Sequence, residues 1–174
     1  KDLKINTKKT NLIAVKKPVF PFNKFPEQKI FLSPEMRSTG EVIGFDSQLG
    51  SAYAKAELGA GNILPSSGIC FISVNDYDKK KIIQIVRDLE EMNFSFIATR
   101  GTSQLLNENG ISSKNIYKVG EGRPNIVDEI KNNSVSIIIN TPLGSQSRYD
   151  EYKIGQAAIK YNIPVITTLS AAQA

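Results

Sequence analysis

From Ile69 onward, short apolar runs alternate with amphipathic stretches, and this alternation is the sequence feature that most restricts the fold. Apolar runs that alternate with helical patterns are typical of βα repeats, which build a parallel sheet covered by helices. The strand candidates are residues 69–74, 94–98, 115–119, 135–139 and 163–166. The sequence therefore predicts an α/β domain with a parallel sheet over its C-terminal two thirds.

The stretch between the first two strand candidates predicts an amphipathic helix. Its apolar residues follow the i, i+3, i+4, i+7 spacing of one buried helix face: Ile82, Ile85, Val86, Leu89 and Met92. Asp76 and Asp78 precede this helix and suit its positive N-terminus. Lys79 and Lys80 oppose that dipole, which indicates that one of them faces an anion, although solvated lysines are an equally good interpretation.

The chain before residue 50 has a different character. "VFPFNKFPEQ" is rich in proline and phenylalanine, and neither a helical nor a strand period is sustained there. We expect irregular structure in this part, then a helix from about Asp46 to Gly59. "AGNILPSSG" follows as a linker, with a domain boundary near Pro65.

Composition restricts the class of ligand and the compartment. The net charge of +5 suits acidic ligands, but the lysines are dispersed and no basic stripe interleaved with aromatic residues occurs, so phosphorylated small molecules are favoured over nucleic acid. There is no apolar run of 18 residues that would predict a membrane span, and no secretory signal pattern. The single cysteine, Cys70, is expected to be buried, in a reducing, cytoplasmic setting.

The stretch "FIATRGTSQLL", residues 96–106, carries the pattern of a phosphate site. A strand ending at Ala98, then Thr99, Gly101 and Thr102, then a helix beginning near Ser103, would place hydroxyls and free amides at a positive helix end. Glycine permits close backbone approach, and threonine hydroxyls donate hydrogen bonds. The alternative is structural, with Thr102 serving only as the helix N-cap.

The ends of the other strand candidates carry matching polar chemistry in "SVNDYDK", "KVGEGRPNIVDEI" and "IINTPLG". Because parallel strands end at one edge, these groups should converge there. Lys79 and Lys118 could neutralise a phosphate, and a nucleoside monophosphate is the ligand that fits. Further polar candidates for the rest of such a ligand are Ser73, Asn140 and Asp150. For Asn140 and Asp150, a turn or N-cap role is the alternative.

In order and spacing, "SVNDYDK", "ATRGTSQLLNENGI", "KVGEGRPNIVDEIKNN" and "IINTPLG" resemble the methylglyoxal-synthase-like domain that ends the carbamoyl phosphate synthetase large subunit. Upstream, "AVKKPVFPFNKFP" and "LSPEMRSTGEVIGFDSQLGSAYAKAELGAGNILPSSG" resemble the close of that subunit's second ATP-grasp half and its connection to the effector domain. The resemblance covers nearly the whole chain. It is most specific where "SPEMRSTGEV" and "EGRPNIVD" occur together.

The resemblance implies a three-layer α/β/α fold with a five-stranded parallel sheet that binds uridine monophosphate as an inhibitor, or inosine monophosphate or ornithine as an activator. The positions implied for the effector phosphate are Lys79, Thr99, Thr102 and Lys118, and those implied for the nucleoside are Ser73, Asn140 and Asp150. Thr167 matches an ornithine-contacting position. Pro142 stands where the pattern has a threonine donor, and Val165 where it has a tyrosine.

The resemblance also implies an organisation and partners. Residues 1–64 would be the tail of the ATP-grasp half with its connection, and residues 65–174 the effector domain. The chain would be cut at both ends, with no catalytic residue, metal or cofactor in this segment. The complete subunit would require ATP and Mg²⁺, with Mn²⁺ as an alternative. Expected partners are the rest of the large subunit and the glutaminase small subunit, and a homo-oligomer stays open.

Two other functions are alternatives to this regulatory one. A stand-alone methylglyoxal synthase would eliminate phosphate from dihydroxyacetone phosphate and needs a base with a histidine partner. Asp76, Asp128 or Asp150 could be the base, but the sequence has no histidine. A pure interaction module would explain the basic N-terminal arm and predicts no binding of small molecules.

Overall fold

The computed structural model describes residues 10–19, 40–143 and 147–174, with only the backbone of residues 147 and 148. The basic start "KDLKINTKK" and the motifs "FPFNKFPEQ" and "SPEMRST" lie outside the described residues. The strands are β1 Ile13–Val19, β2 Gly40–Asp46, β3 Gly68–Val74, β4 Phe94–Thr99, β5 Ser113–Ile116, β6 Ile137–Thr141 and β7 Val165–Ile166. The helices are α1 Leu49–Gly59, α2 Lys79–Glu91, α3 Arg100–Glu108, α4 Ile126–Lys131, α5 Ser147–Lys160 and α6 Leu169–Gln173.

Five strands form one parallel sheet in the order β5-β4-β3-β6-β7, so the predicted sheet is confirmed. Ile72 of the central strand β3 lies opposite Ala98 of β4 and Ile139 of β6. These strands read as apolar runs because helices cover both faces of the sheet. The predicted ranges 115–119 and 135–139 are each displaced by about two residues from β5 and β6.

Two apolar cores separate three layers. On one face, α2, α3 and α6 pack against the strand residues Cys70 and Ile72. On the other, α4 and α5 pack against Phe71 and Ile138. Burial raises the pKa of the Cys70 thiol to about 12, as expected for a small buried apolar side chain. The predicted buried face of α2 is correct except at Met92, which follows the end of the helix and is half exposed.

The N-terminal part is more regular than predicted. β1 and β2 form an antiparallel pair in which Ile13 lies opposite Asp46 and Val19 opposite Gly40, so the expectation of irregular structure is wrong for these two segments. The predicted helix begins at Leu49 rather than Asp46, which ends β2. Residues 60–67, all of them described, form neither helix nor strand, as expected of a linker. Among the described helices, none is long and apolar enough to cross a membrane.

Gly44 allows α1 to approach β2 at backbone distance. A Cβ at this position would lie 2.1 Å from the Ala52 carbonyl oxygen and 2.7 Å from the Ala56 nitrogen, and both atoms belong to the α1 backbone. We expect Gly44→Ala to lower the free energy of unfolding by about 1–3 kcal/mol, because the helix must move away from the strand. Denaturant unfolding measures the loss.

Gly40→Ala is the matched control, because a Cβ there would have no neighbour within 4 Å among the described residues. Equal stability of the Gly44 and Gly40 variants would contradict the close packing of α1 on β2.

Candidate functional site

A cavity of about 810 Å³ opens at the edge of the sheet where the parallel strands end. The ends of β3 and β6, the end of β4, the loop after β5 and the start of α5 all contribute to its wall. Five of the predicted site residues line it: Ser73, Thr99, Lys118, Asn140 and Asp150. Two others, Lys79 and Thr102, do not line the cavity but contact residues that do.

The β4–α3 junction differs from the prediction in one respect. Thr99 is the last residue of β4 and the N-cap of α3, which begins at Arg100 rather than near Ser103. Thr102, the expected alternative N-cap, lies inside α3, and the side chain of the actual N-cap residue, Thr99, makes no capping hydrogen bond. The first-turn amides of α3 therefore receive no acceptor from their own N-cap side chain, and the positive end of the helix dipole lies beside the cavity.

Three hydroxyl groups cluster at this junction. Thr99 Oγ1 lies 3.4 Å from Ser73 Oγ and 3.5 Å from Thr102 Oγ1. Thr102 is fully buried, and its Oγ1 accepts a hydrogen bond of 3.5 Å from the Val74 amide. All these bonds are long and correspondingly weak. Hydroxyl hydrogens rotate freely, so Ser73 and Thr99 can turn their donors toward a ligand in the cavity at little cost.

Lys79 is the cation at this site, whereas Lys80 is exposed on α2. The Lys79 ammonium lies 2.6 Å from the Asp76 carboxylate. It also lies 3.3 Å from where a Cβ on Gly101 would be, so the absence of a side chain at Gly101 lets the ammonium approach the first turn of α3. Of the two lysines at the start of α2, Lys79 is thus the one whose ammonium pairs with a carboxylate, that of Asp76.

Lys118 adds a second positive charge from the loop after β5. Together with Lys79, the stronger influence, it lowers the pKa of Asp76. Burial raises the pKa of Asp150, with Lys118 opposing that shift and Glu121 adding to it. The cavity edge thus combines two lysines with a partly buried carboxyl group.

Sequence reasoning missed the residue that joins two walls of the cavity. The side-chain nitrogen of Asn75, just after β3, donates to the Thr141 carbonyl at 3.1 Å and to Asp78 Oδ2 at 2.7 Å. Its Oδ1 accepts from the Tyr77 amide at 2.9 Å. An asparagine two residues before an amide that it can bind is the signal of such a turn. Asn75 thereby fixes the β3–α2 loop to the end of β6.

Two exposed tyrosines on the cavity wall were also missed. Tyr77, in the β3–α2 loop, is 82% exposed, and Tyr149, near the start of α5, is 60% exposed. The Lys153 ammonium lies 5.6 Å from the centre of the Tyr149 ring. Exposed aromatic residues beside predicted strand ends are the signal that could have identified them. Pro142 also lines the cavity and supplies no donor, while the neighbouring Thr141 hydroxyl accepts from Asn75.

Thr167 lies apart from this site. It lines a smaller cavity of about 260 Å³ together with residues of β1, α1 and α6, among them the ion pair of Lys17 and Glu57. Burial raises the pKa of Glu57, but hydrogen bonds from Lys17 and Asn62 outweigh this and leave it lowered. The prediction of a second effector at Thr167 concerns this separate cavity. No group of three or more metal-ligating side chains occurs in the part of the chain that the structure describes.

Comparison with known proteins identifies relatives along the whole chain. A family model described as the MGS-like domain matches residues 81–167. The carbamoyl phosphate synthase large chain of Acidobacterium capsulatum is 51% identical over 160 residues, which are 92% of this chain and 15% of that protein. The C-terminal section of the Aquifex aeolicus large chain is 46% identical over 167 residues, 96% of this chain and 31% of that section.

A solved structure shares the fold. The methylglyoxal synthase of Elizabethkingia anophelis matches with a TM-score of 0.50 and 17% identity, over 63% of this chain and 76% of that chain. The chain spans about 15% of the length of the full-length curated relatives that it matches. The chain belongs to the MGS-like domain family and is homologous to the C-terminal part of carbamoyl phosphate synthase large chains.

Proposed function

We propose that this chain is the allosteric nucleotide-binding segment of a carbamoyl phosphate synthase large subunit. The observation that carries the proposal is the convergence of two lysines, a hydroxyl cluster and the N-terminus of α3 at one cavity. Helix N-termini and lysines are the groups that proteins use to hold phosphate. A volume of about 810 Å³ lies in the range of small-molecule sites and is ample for a nucleoside monophosphate.

In this proposal the effector is uridine monophosphate or inosine monophosphate. Its phosphate is held by Lys79, Thr99, Thr102 and Lys118, with the buried Thr102 acting through Thr99. Ser73, Asn140 and Asp150 face the nucleoside. Asp150, as a carboxylate, accepts hydrogen bonds from ribose hydroxyls. The small rotation that brings Ser73 and Thr99 hydroxyls onto the phosphate replaces the long bonds of the free cluster with shorter, charge-assisted ones.

The complete subunit would make carbamoyl phosphate from bicarbonate, glutamine-derived ammonia and ATP for pyrimidine and arginine biosynthesis. ATP and Mg²⁺, or Mn²⁺, would serve the ATP-grasp half. Residues 1–64 would be the tail of the ATP-grasp half. The exposed apolar side chains of Ile43 and Phe45 on β2 suit contact with the remainder of the large subunit.

Regulation follows from differential binding. A nucleotide that prefers one state of the whole enzyme biases it by a coupling free energy of about 1–3 kcal/mol. The hydrogen bonds of Asn75 to β6 and to the start of α2 provide a physical connection through which an occupied cavity could alter the packing around it. The glutaminase small subunit would join the assembly through the large subunit.

Calorimetric titration of the chain with uridine, inosine and guanosine monophosphates and with ornithine tests the proposal. We expect a nucleoside monophosphate to bind, and the same compound to shift the kinetics of the intact large subunit. The chain alone should neither hydrolyse ATP nor release phosphate from dihydroxyacetone phosphate. Absence of nucleotide binding would favour an interaction module. Phosphate release that disappears in Asp76→Asn would favour a methylglyoxal synthase.

A further inference from the structure

Asp76 forms an ion pair at the mouth of the cavity. Its carboxylate lies 2.6 Å from the Lys79 ammonium, and its side chain is 88% exposed, against 31% for Lys79. Asp76 itself lines the cavity. The pair therefore sits where a ligand enters, with the carboxylate on the solvent side.

The Asp76 carboxylate is paired with a lysine that lies beside the proposed phosphate site. The Lys79 ammonium lies beside Gly101 in the first turn of α3, next to the hydroxyl cluster of Thr99 and Thr102. Lys118 also acts electrostatically on Asp76. One carboxylate thus interacts with both of the lysines that would neutralise a bound phosphate.

Apart from the favourable interaction of its charge with the positive end of α2, Asp76 makes few contacts that would explain its position. Among the described residues, its only hydrogen-bonding or ion-pair partner is Lys79. The turn before α2 is held by Asn75 instead, whose side-chain oxygen accepts from the Tyr77 and Asp78 amides. An exposed ion pair of this kind contributes little to stability.

We propose that Asp76 is an intramolecular counterion of the anion site, paired with Lys79 in the free chain and displaced when a phosphate group binds. This rests on the proposed function in that the ligand carries a phosphate. Every anionic ligand must break this pair to reach Lys79, so Asp76 lowers the affinity of the site for anions in general.

Asp76→Asn tests this assignment, with binding of inorganic phosphate, acetate and uridine monophosphate measured by calorimetry at pH 8. Losing the competing charge should raise the affinity for phosphate and for the nucleotide by about two- to fivefold, the range expected for an exposed ion pair. Acetate should gain no more than phosphate, because Asp76 repels a singly charged ligand less than a dianion. Asp88→Asn is the control. Asp88 is an exposed acid on α2, about 13 Å along the helix axis from Lys79, and its replacement changes the net charge by the same amount.

The possible outcomes distinguish failure of the Asp76 counterion proposal from failure of the proposed nucleotide-binding function. Unchanged phosphate affinity in Asp76→Asn, or an equal gain in Asp88→Asn, overturns it, and so does failure of phosphate to bind either form. Weaker nucleotide binding with unchanged phosphate binding would assign Asp76 to the nucleoside and overturn it as well. A gain for phosphate without any nucleotide binding would support the counterion and refute the nucleotide effector.

Discussion

Replacement of both Lys79 and Lys118 by alanine is expected to weaken binding of a nucleoside monophosphate by at least about a hundredfold. Each charged hydrogen bond lost should cost about 1.5–3 kcal/mol, so that two together reach about 3–6 kcal/mol. The two lysines reach the site from α2 and from the loop after β5. Neither is expected to compensate for the other. Calorimetric titration of the double variant measures the loss.

A matched control is Lys80→Ala combined with Lys114→Ala, which removes the same charge from two exposed positions that do not line the cavity. This control should bind within about threefold of the unmodified chain, because exposed charges that make no direct contact with the ligand are largely screened by solvent and salt. The single variants Lys79→Ala and Lys118→Ala should each lose about tenfold or more. Equal losses in the double variant and its control would show that the cavity edge attracts nucleotides only through net charge.

The sheet was predictable from the sequence because its strands are buried on both faces. Apolar runs such as "ICFISV" and "FIA" leave little ambiguity when amphipathic stretches separate them. The edge strand β5 was harder to place. Its residues Ser113, Lys114 and Asn115 are polar, whereas the residues after them are more apolar. The predicted strand therefore starts two residues after the observed start of β5.

The pairing of β1 with β2 could not be predicted from local pattern. The two strands are separated by 20 residues, and Lys16, Lys17 and Pro18 interrupt the alternation in β1. The pair packs on α1, whose backbone comes close to β2 at Gly44. Such long-range contact leaves no periodicity in either segment alone.

Ser73, Thr99 and Asn140 line one cavity because each lies at the C-terminal end of a strand of the parallel sheet. This convergence can be predicted without knowing the order of the strands in the sheet. The hydrogen bond from Asn75 to Thr141 cannot, because it forms only when β3 and β6 are neighbours in the sheet. The earlier start of α3 likewise depends on tertiary packing: Thr102 is buried against Val74, which favours a helical conformation directly after Thr99.

Ile138 tests how far the site depends on the core beneath it. It is fully buried on β6, two residues before Asn140, and shares its core with Phe71, Ile130 and Ile154. We expect Ile138→Ala to lower the free energy of unfolding by about 2–5 kcal/mol, since the removed atoms leave a cavity between the sheet and the α4–α5 layer. Denaturant unfolding measures the loss.

Ile138→Val should cost only about 0.5–1.5 kcal/mol, because one methyl group is removed and the branched shape is kept. Ile43→Ala is the surface control: Ile43 is 53% exposed on β2, and its truncation should change stability by less than about 0.5 kcal/mol. Burial alone predicts that the loss of stability decreases from Ile138→Ala to Ile138→Val to Ile43→Ala. If Ile138→Ala were no more destabilising than Ile43→Ala, the α4–α5 layer would not pack on β6 as described, and the position of Asn140 at the cavity would lose its support.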